Sequence, residues 1–192
     1  MRSLILSISF FLWTTYSFAQ NQGNQDSTAT RLISSIANAN NVEYKYIGCF
    51  GETSLLCKQV DSLKKIIGLD SFIGLFNHHS AVLKYYSFVA LLDSDTDSAL
   101  VVLKSFNDTS TRVSKRSDQW FYAEPKLIAL MTAEFLGIAK IKYYYGRGRT
   151  FKFRAIPSQP KNKKKWRRIE TEINEIIEEN SLSRTWIEDY IN

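Results

Sequence analysis

The sequence predicts an all-α fold, and three observations carry that prediction. Apolar residues recur at steps of three and four in segment after segment, which is the period of one helical face. The segments are joined by short turns rich in Ser, Asp, Asn and Gly, the residues that cap helix ends. Apolar–polar alternation, the mark of a half-buried strand, is confined to one stretch near residues 141–156.

Taken in order, Thr28 to Ala39 carries Leu32, Ile33 and Ile36 and reads as a short amphipathic helix. Tyr44 to Gly51 reads as a structured loop. Thr53 or Ser54 can cap the next helix, whose face is Leu56, Val60, Leu63 and Ile67 and whose end is Gly68 in the position glycine prefers. Asp70 or Ser71 opens a third helix through Phe72, Leu75 and Phe76, broken at Asn77-His78-His79-Ser80. Ala81 to Leu92 and Ala99 to Phe106 are helical, with the aspartates of Asp93-Ser94-Asp95-Thr96-Asp97 as turn and cap residues. Residues 107–119 lack an apolar period and read as a loop or the frayed start of a helix. Pro125 suits the first turn of a helix running past Leu127, Ile128, Met131 and Phe135 to Gly137 or beyond. Over 141–156, Phe151-Lys152-Phe153-Arg154 and the central Gly146-Arg147-Gly148 suggest a small β-hairpin, with a helix reaching Tyr145 as the alternative. A long helix through Trp166, Ile169, Ile173, Ile176 and Ile177 and a short one through Trp186, Ile187 and Tyr190 close the chain.

Within residues 69–113 the pattern is similar to a HEAT-type repeat. An apolar helix, Phe72-Ile73-Gly74-Leu75-Phe76, is followed by a short polar turn. The second helix opens Val82-x-Lys84 and places small Ser87 and Ala90 in its packing face. Ala99 to Val113 resembles the start of a second unit, with Phe106-Asn107 in the place of Phe76-Asn77. The resemblance implies α-solenoid-like packing of helix pairs. It implies a surface for partners and no catalytic site.

Residues 1–19 read as a cleavable secretory signal. Arg2 supplies the positive start, Leu4 to Trp13 the apolar run, and Ser17-Phe18-Ala19 the small-residue cleavage pattern, with cleavage expected after Ala19. The run is shorter than the ~20 apolar residues a spanning helix needs, so no stable membrane anchor is expected. The organisation is then a signal at 1–19, a polar linker at 20–27 and one helical domain at 28–192, in a periplasmic or secreted protein. In such a compartment Cys49 and Cys57, the two cysteines, are candidates for a disulfide, and buried free thiols are the alternative.

Chemistry-bearing motifs are sparse. His78 and His79 sit side by side without a third ligand, and Asp93, Asp95 and Asp97 imitate half a calcium loop but meet Ser98 and Lys104 where glycine and glutamate belong. No metal, no cofactor and no catalytic residue is expected. Asn107-Asp108-Thr109 matches an N-glycosylation sequon, an unspecific pattern. Charge is the one anomaly. Residues 140–168 hold 12 basic and no acidic residues, and residues 169–192 hold one basic and seven acidic. Candidate polyanion contacts are Arg147, Arg149, Lys152, Arg154, Lys163, Lys164, Lys165, Arg167 and Arg168. Export argues against nucleic acid and for a protein or an acidic polymer outside the cytoplasm. The long C-terminal helix therefore begins basic and ends acidic, against its own macrodipole. That arrangement predicts pairing with an oppositely ordered charged surface, including a homodimer through this helix. The expected function is a non-catalytic interaction scaffold. The alternative is a polyanion- or envelope-binding module, or an exported enzyme, built on residues 141–168.

Overall fold

Ala81–Ser94 (α4) and Leu127–Tyr145 (α6) are the two most apolar helices, and the other elements assemble on them. The computed structural model describes residues 27–43, 46–47, 52–117, 120–121, 124–145 and 163–191. The remaining elements are helix 27–37 (α1), strands Asn41–Glu43 (β1), Tyr46–Ile47 (β2) and Glu52–Thr53 (β3), and helices Leu55–Ile67 (α2) and Leu69–Gly74 (α3), the latter running into a 3-10 turn over Leu75–Asn77. Then come Thr96–Ser105 (α5), Ser114–Ser117 (β4), Trp120–Phe121 (β5), Lys163–Glu179 (α7) and Arg184–Ile191 (α8).

α4 packs on α6. α3 covers α4 from one side, α5 flanks both, and α7 and α8 cover the far side of α6. The result is one apolar cluster reaching from Ile36 through Phe72, Leu83, Phe88, Leu130 and Phe135 to Ile173 and Ile187. Burial on all these faces explains why α4 and α6 read as apolar almost all round, whereas α7 is sharply two-sided.

The caps follow the sequence closely. Ser54 Oγ accepts from Cys57 N–H (3.0 Å) at the start of α2, and Ser80 Oγ from Leu83 N–H (3.5 Å) at the start of α4. Asp95 accepts from the N–H groups of Asp97 and Ser98 at the start of α5. Gly68 ends α2 at φ 79°, ψ 162°, a region open essentially to glycine. It also starts α3, so neither Asp70 nor Ser71 is the cap there. α7 ends with Ser181 at φ 49°, Ser181 N–H donating to Glu178 O and Leu182 N–H to Ile177 O. That is a Schellman turn with serine in glycine's place.

Two readings change. Residues 141–145 are the last turns of α6, so no hairpin strand occupies them. The helical period of Leu136, Ala139 and the residues after Gly137 simply continues. Residues 146–156, the rest of that stretch, lie outside the described residues. Second, part of the polar stretch 107–119 is a strand. β4 pairs parallel with β1, Val42 opposite Lys115, and antiparallel with β5, Arg116 opposite Phe121. This small sheet joins segments some seventy residues apart, and β2 and β3 form a separate antiparallel pair.

Within residues 69–94 the structure has α3 with its 3-10 turn followed by α4. Ser87 Oγ donates to Phe72 O (3.0 Å) across the pair. Phe76 and Phe106 meet edge to face at 5.8 Å. After Phe106 the chain turns into β4.

Candidate functional site

The sheet brings a group of buried and half-buried polar side chains together where β1 and β4 meet α2, α4 and α6. From Val113, just before β4, the chain alternates, with Val113 and Lys115 inward and Ser114 and Arg116 toward solvent. Inward placement makes Lys115 1% exposed. Its Nζ lies 2.6 Å from Glu134 Oε1 on α6, and Tyr85 Oη on α4 donates to the same carboxylate oxygen at 2.7 Å. Lys115 Nζ is 3.5 Å from Tyr85 Oη. Burial pushes the Lys115 ammonium pKa down, and the Glu134 charge beside it pulls the other way. A buried charge needs such a partner, since an unpaired one costs several kcal/mol.

Beside this triad, the next residue of α4 treats the edge of β1. Glu43 N–H donates to Tyr86 Oη (2.9 Å), and the Tyr86 hydroxyl donates back to Glu43 O (3.2 Å). The phenol thus meets both backbone groups that a neighbouring strand would meet. Cys57 Sγ donates to the same carbonyl (3.5 Å). The Glu43 carboxylate accepts a short hydrogen bond from Ser54 Oγ and faces Arg116 Nη1 at 3.8 Å. One glutamate therefore ties the cap of α2 to both strands. Burial pushes the Cys57 thiol pKa up, and burial likewise holds the Tyr86 phenol far above its ordinary value. Both stay protonated and act as donors. A thiol held neutral is not a nucleophile.

The sequence-predicted residues divide. Arg147, Arg149, Lys152 and Arg154 lie outside the described residues, as does Cys49 and with it the expected Cys49–Cys57 disulfide, while Cys57 is half-buried on α2. Lys163 opens α7. Lys165 Nζ binds Asp97 Oδ2 (2.8 Å) in the first turn of α5, and Glu172 accepts from Lys104 (3.4 Å) at its end and from Arg168 (2.7 Å). Both cross-helix pairs span 68 residues, so α5 and α7 run parallel. α5 has its charges in the order the macrodipole favours. A parallel neighbour that pairs with it must carry them reversed, which accounts for Lys165 and Glu172. Lys164 and Arg167 remain exposed on the outer face.

Other surface features are modest. An open depression of about 370 Å³ lies between α2, α3 and α4, with Lys64, Lys65 and Leu69 facing Ala90, Asp93 and Ser94. His78 Nδ1 accepts from Ser80 N–H (3.0 Å), so that ring serves the turn before α4. Among the described residues no three His, Cys, Asp or Glu side chains are grouped to hold a metal ion, and no helix is long and apolar enough to cross a membrane.

The triad was missed in the sequence because Ser114-Lys115-Arg116-Ser117 is polar throughout. The signal that could have found it is Val113 two residues before Lys115, a period-2 hint too short to read alone. The chain matches no known family, no curated protein and no solved structure.

Proposed function

We propose that the chain is exported by residues 1–19 and acts outside the cytoplasm as a non-catalytic helical interaction module. The observation that carries this reading is where the charges go. The ionisable groups in and beside the core, Lys115, Glu134, Tyr85, Tyr86 and Cys57, are spent on one another or on the backbone of β1. Unpaired charge is left on the outer face of α7. The HEAT-like reading of residues 69–113 is supported by the α3–α4 pair and by the Phe76–Phe106 contact, and its implication of a partner surface points the same way.

The test has two arms. N-terminal sequencing of the protein from the cell envelope or medium should begin at Gln20; an intact Met1 in the cytoplasm would remove the export reading. Cross-linking in the exporting cell should then give a discrete protein adduct, weakened when Lys164 and Arg167 are changed to Gln. If the chain instead binds polyglutamate or polyphosphate with a steep salt dependence and yields no adduct, the polyanion-binding alternative replaces it.

A further inference from the structure

The outermost stripe of α7 is Lys164, Arg167, Thr171, Glu175 and Glu178, all exposed. At about 3.6 residues per turn these five positions fall on one narrow line, opposite the buried Ile169, Ile173, Ile176 and Ile177. The charges along it are antisymmetric about Thr171. Lys164 lies seven residues before it and Glu178 seven after; Arg167 lies four before and Glu175 four after. Pairing with α5 explains Lys165 and Glu172, which lie on the flank facing that helix. It does not explain the outer stripe, whose cations at the helix start and anions at its end oppose the macrodipole with no ion pair to compensate them among the described residues.

We infer that this stripe is a self-recognition surface. Two copies pair α7 antiparallel across a two-fold axis at Thr171, Lys164 meeting Glu178 and Arg167 meeting Glu175 of the second copy, each contact made twice. A two-fold interface requires such self-complementarity, and antiparallel packing also sets the two macrodipoles head to tail. A polyanion fits less well, because half of the stripe, about 10 Å at 1.5 Å per residue, would repel it through Glu175 and Glu178. The small Thr171 at the axis lets the helices approach. The inference rests on the reading of the chain as an interaction module and names one partner for it. Exposed ion pairs are individually weak and screened by salt, so the dimer belongs to the weak, concentration-dependent regime.

Sedimentation velocity on the mature protein tests this. At about 10 mM ionic strength, where the screening length is about 30 Å, the mean mass should rise with concentration toward twice the monomer. At about 1 M, with a screening length of about 3 Å, it should stay at the monomer. Lys164→Glu/Arg167→Glu and Glu175→Lys/Glu178→Lys should each abolish association, and an equimolar mixture of the two should restore it as a heterodimer. Both variants favour the helix dipole, so neither threatens folding, and circular dichroism checks that they are as helical as wild type. A wild type that stays monomeric at low salt, variants that still associate, or a mixture that stays monomeric overturns the inference. A monomeric wild type that still gives a cross-linked partner in the cell overturns self-recognition while leaving the interaction-module reading in place.

Discussion

Tyr86 shows how much one atom can settle. Its hydroxyl both accepts from and donates to Glu43, so the outer edge of β1 finds a side chain where another strand would pair. Tyr86→Phe keeps the ring but leaves a backbone N–H without its partner. Urea denaturation should show a loss of about 1–3 kcal/mol, with Tyr85→Phe a smaller loss because Lys115 still holds Glu134. Two backbone positions make a contrasting pair. Gly68 sits where a Cβ meets no neighbour but the backbone itself is strained for an L-residue, so Gly68→Ala should cost on the order of 1–3 kcal/mol. Ser181 is the reverse case, a side chain at positive φ in a glycine position, so Ser181→Gly should raise stability by up to about 1 kcal/mol. Equal effects of the two substitutions would refute this account. Gly68 was readable from sequence because glycine after a helical period marks an end. Ser181 was not, because serine carries no such mark.

Elements were legible where their stabilisation is local. The helices announce themselves through apolar spacing and caps, and Asp95 and Ser80 cap where their positions suggest. β4 was illegible because its reason for existing lies some seventy residues away in β1, and because its inward residue is a lysine. That lysine makes the Lys115–Glu134 pair the sharpest test at this scale. Glu134→Ala strands a buried ammonium and should cost about 3–5 kcal/mol. Lys115→Met with Glu134→Leu removes both charges and should recover most of that loss, which a double-mutant cycle would measure; no recovery would mean that the charges themselves are needed. The loop between α5 and β4 titrates. Asp108 accepts from the backbone and hydroxyls of Ser110 and Thr111, and these bonds, those of Thr111 foremost, hold its carboxyl down to about 2. A depressed carboxyl contributes stability above its unfolded value, near 4, and loses it as pH falls toward 2. Asp108→Ala should therefore be less stable than wild type at pH 5, and the gap should narrow as pH falls from 4 through 2, as thermal melts across that range will show. The α5–α7 pairs, in contrast, are exposed and of small individual value.

At the scale of the whole molecule, the apolar cluster is continuous from α1 to α8, and the parallel β1–β4 pairing closes the chain on itself around α2 to α5. Among the described residues no helix pair is left with a separate core of its own. HEAT-type units stacked in an array would instead contact only their neighbours and could lose structure from one end. The two architectures differ in cooperativity, and the tryptophans can tell them apart. Trp166 and Trp186 lie on α7 and α8 and Trp120 on β5, so fluorescence watches the C-terminal half and the sheet. Far-ultraviolet dichroism watches all helices at once. With one shared core, urea unfolding followed by the two signals should give coincident midpoints and slopes. If α7 and α8 were a detachable pair, fluorescence would change first. Ile169, Ile173, Ile176 and Ile187, each 2% exposed or less against the rest of the core, make early release unfavourable. Ile173→Ala should lower both midpoints together, by about 2–5 kcal/mol of stability. A shift confined to the fluorescence signal would show that the C-terminal helices fold as a unit of their own.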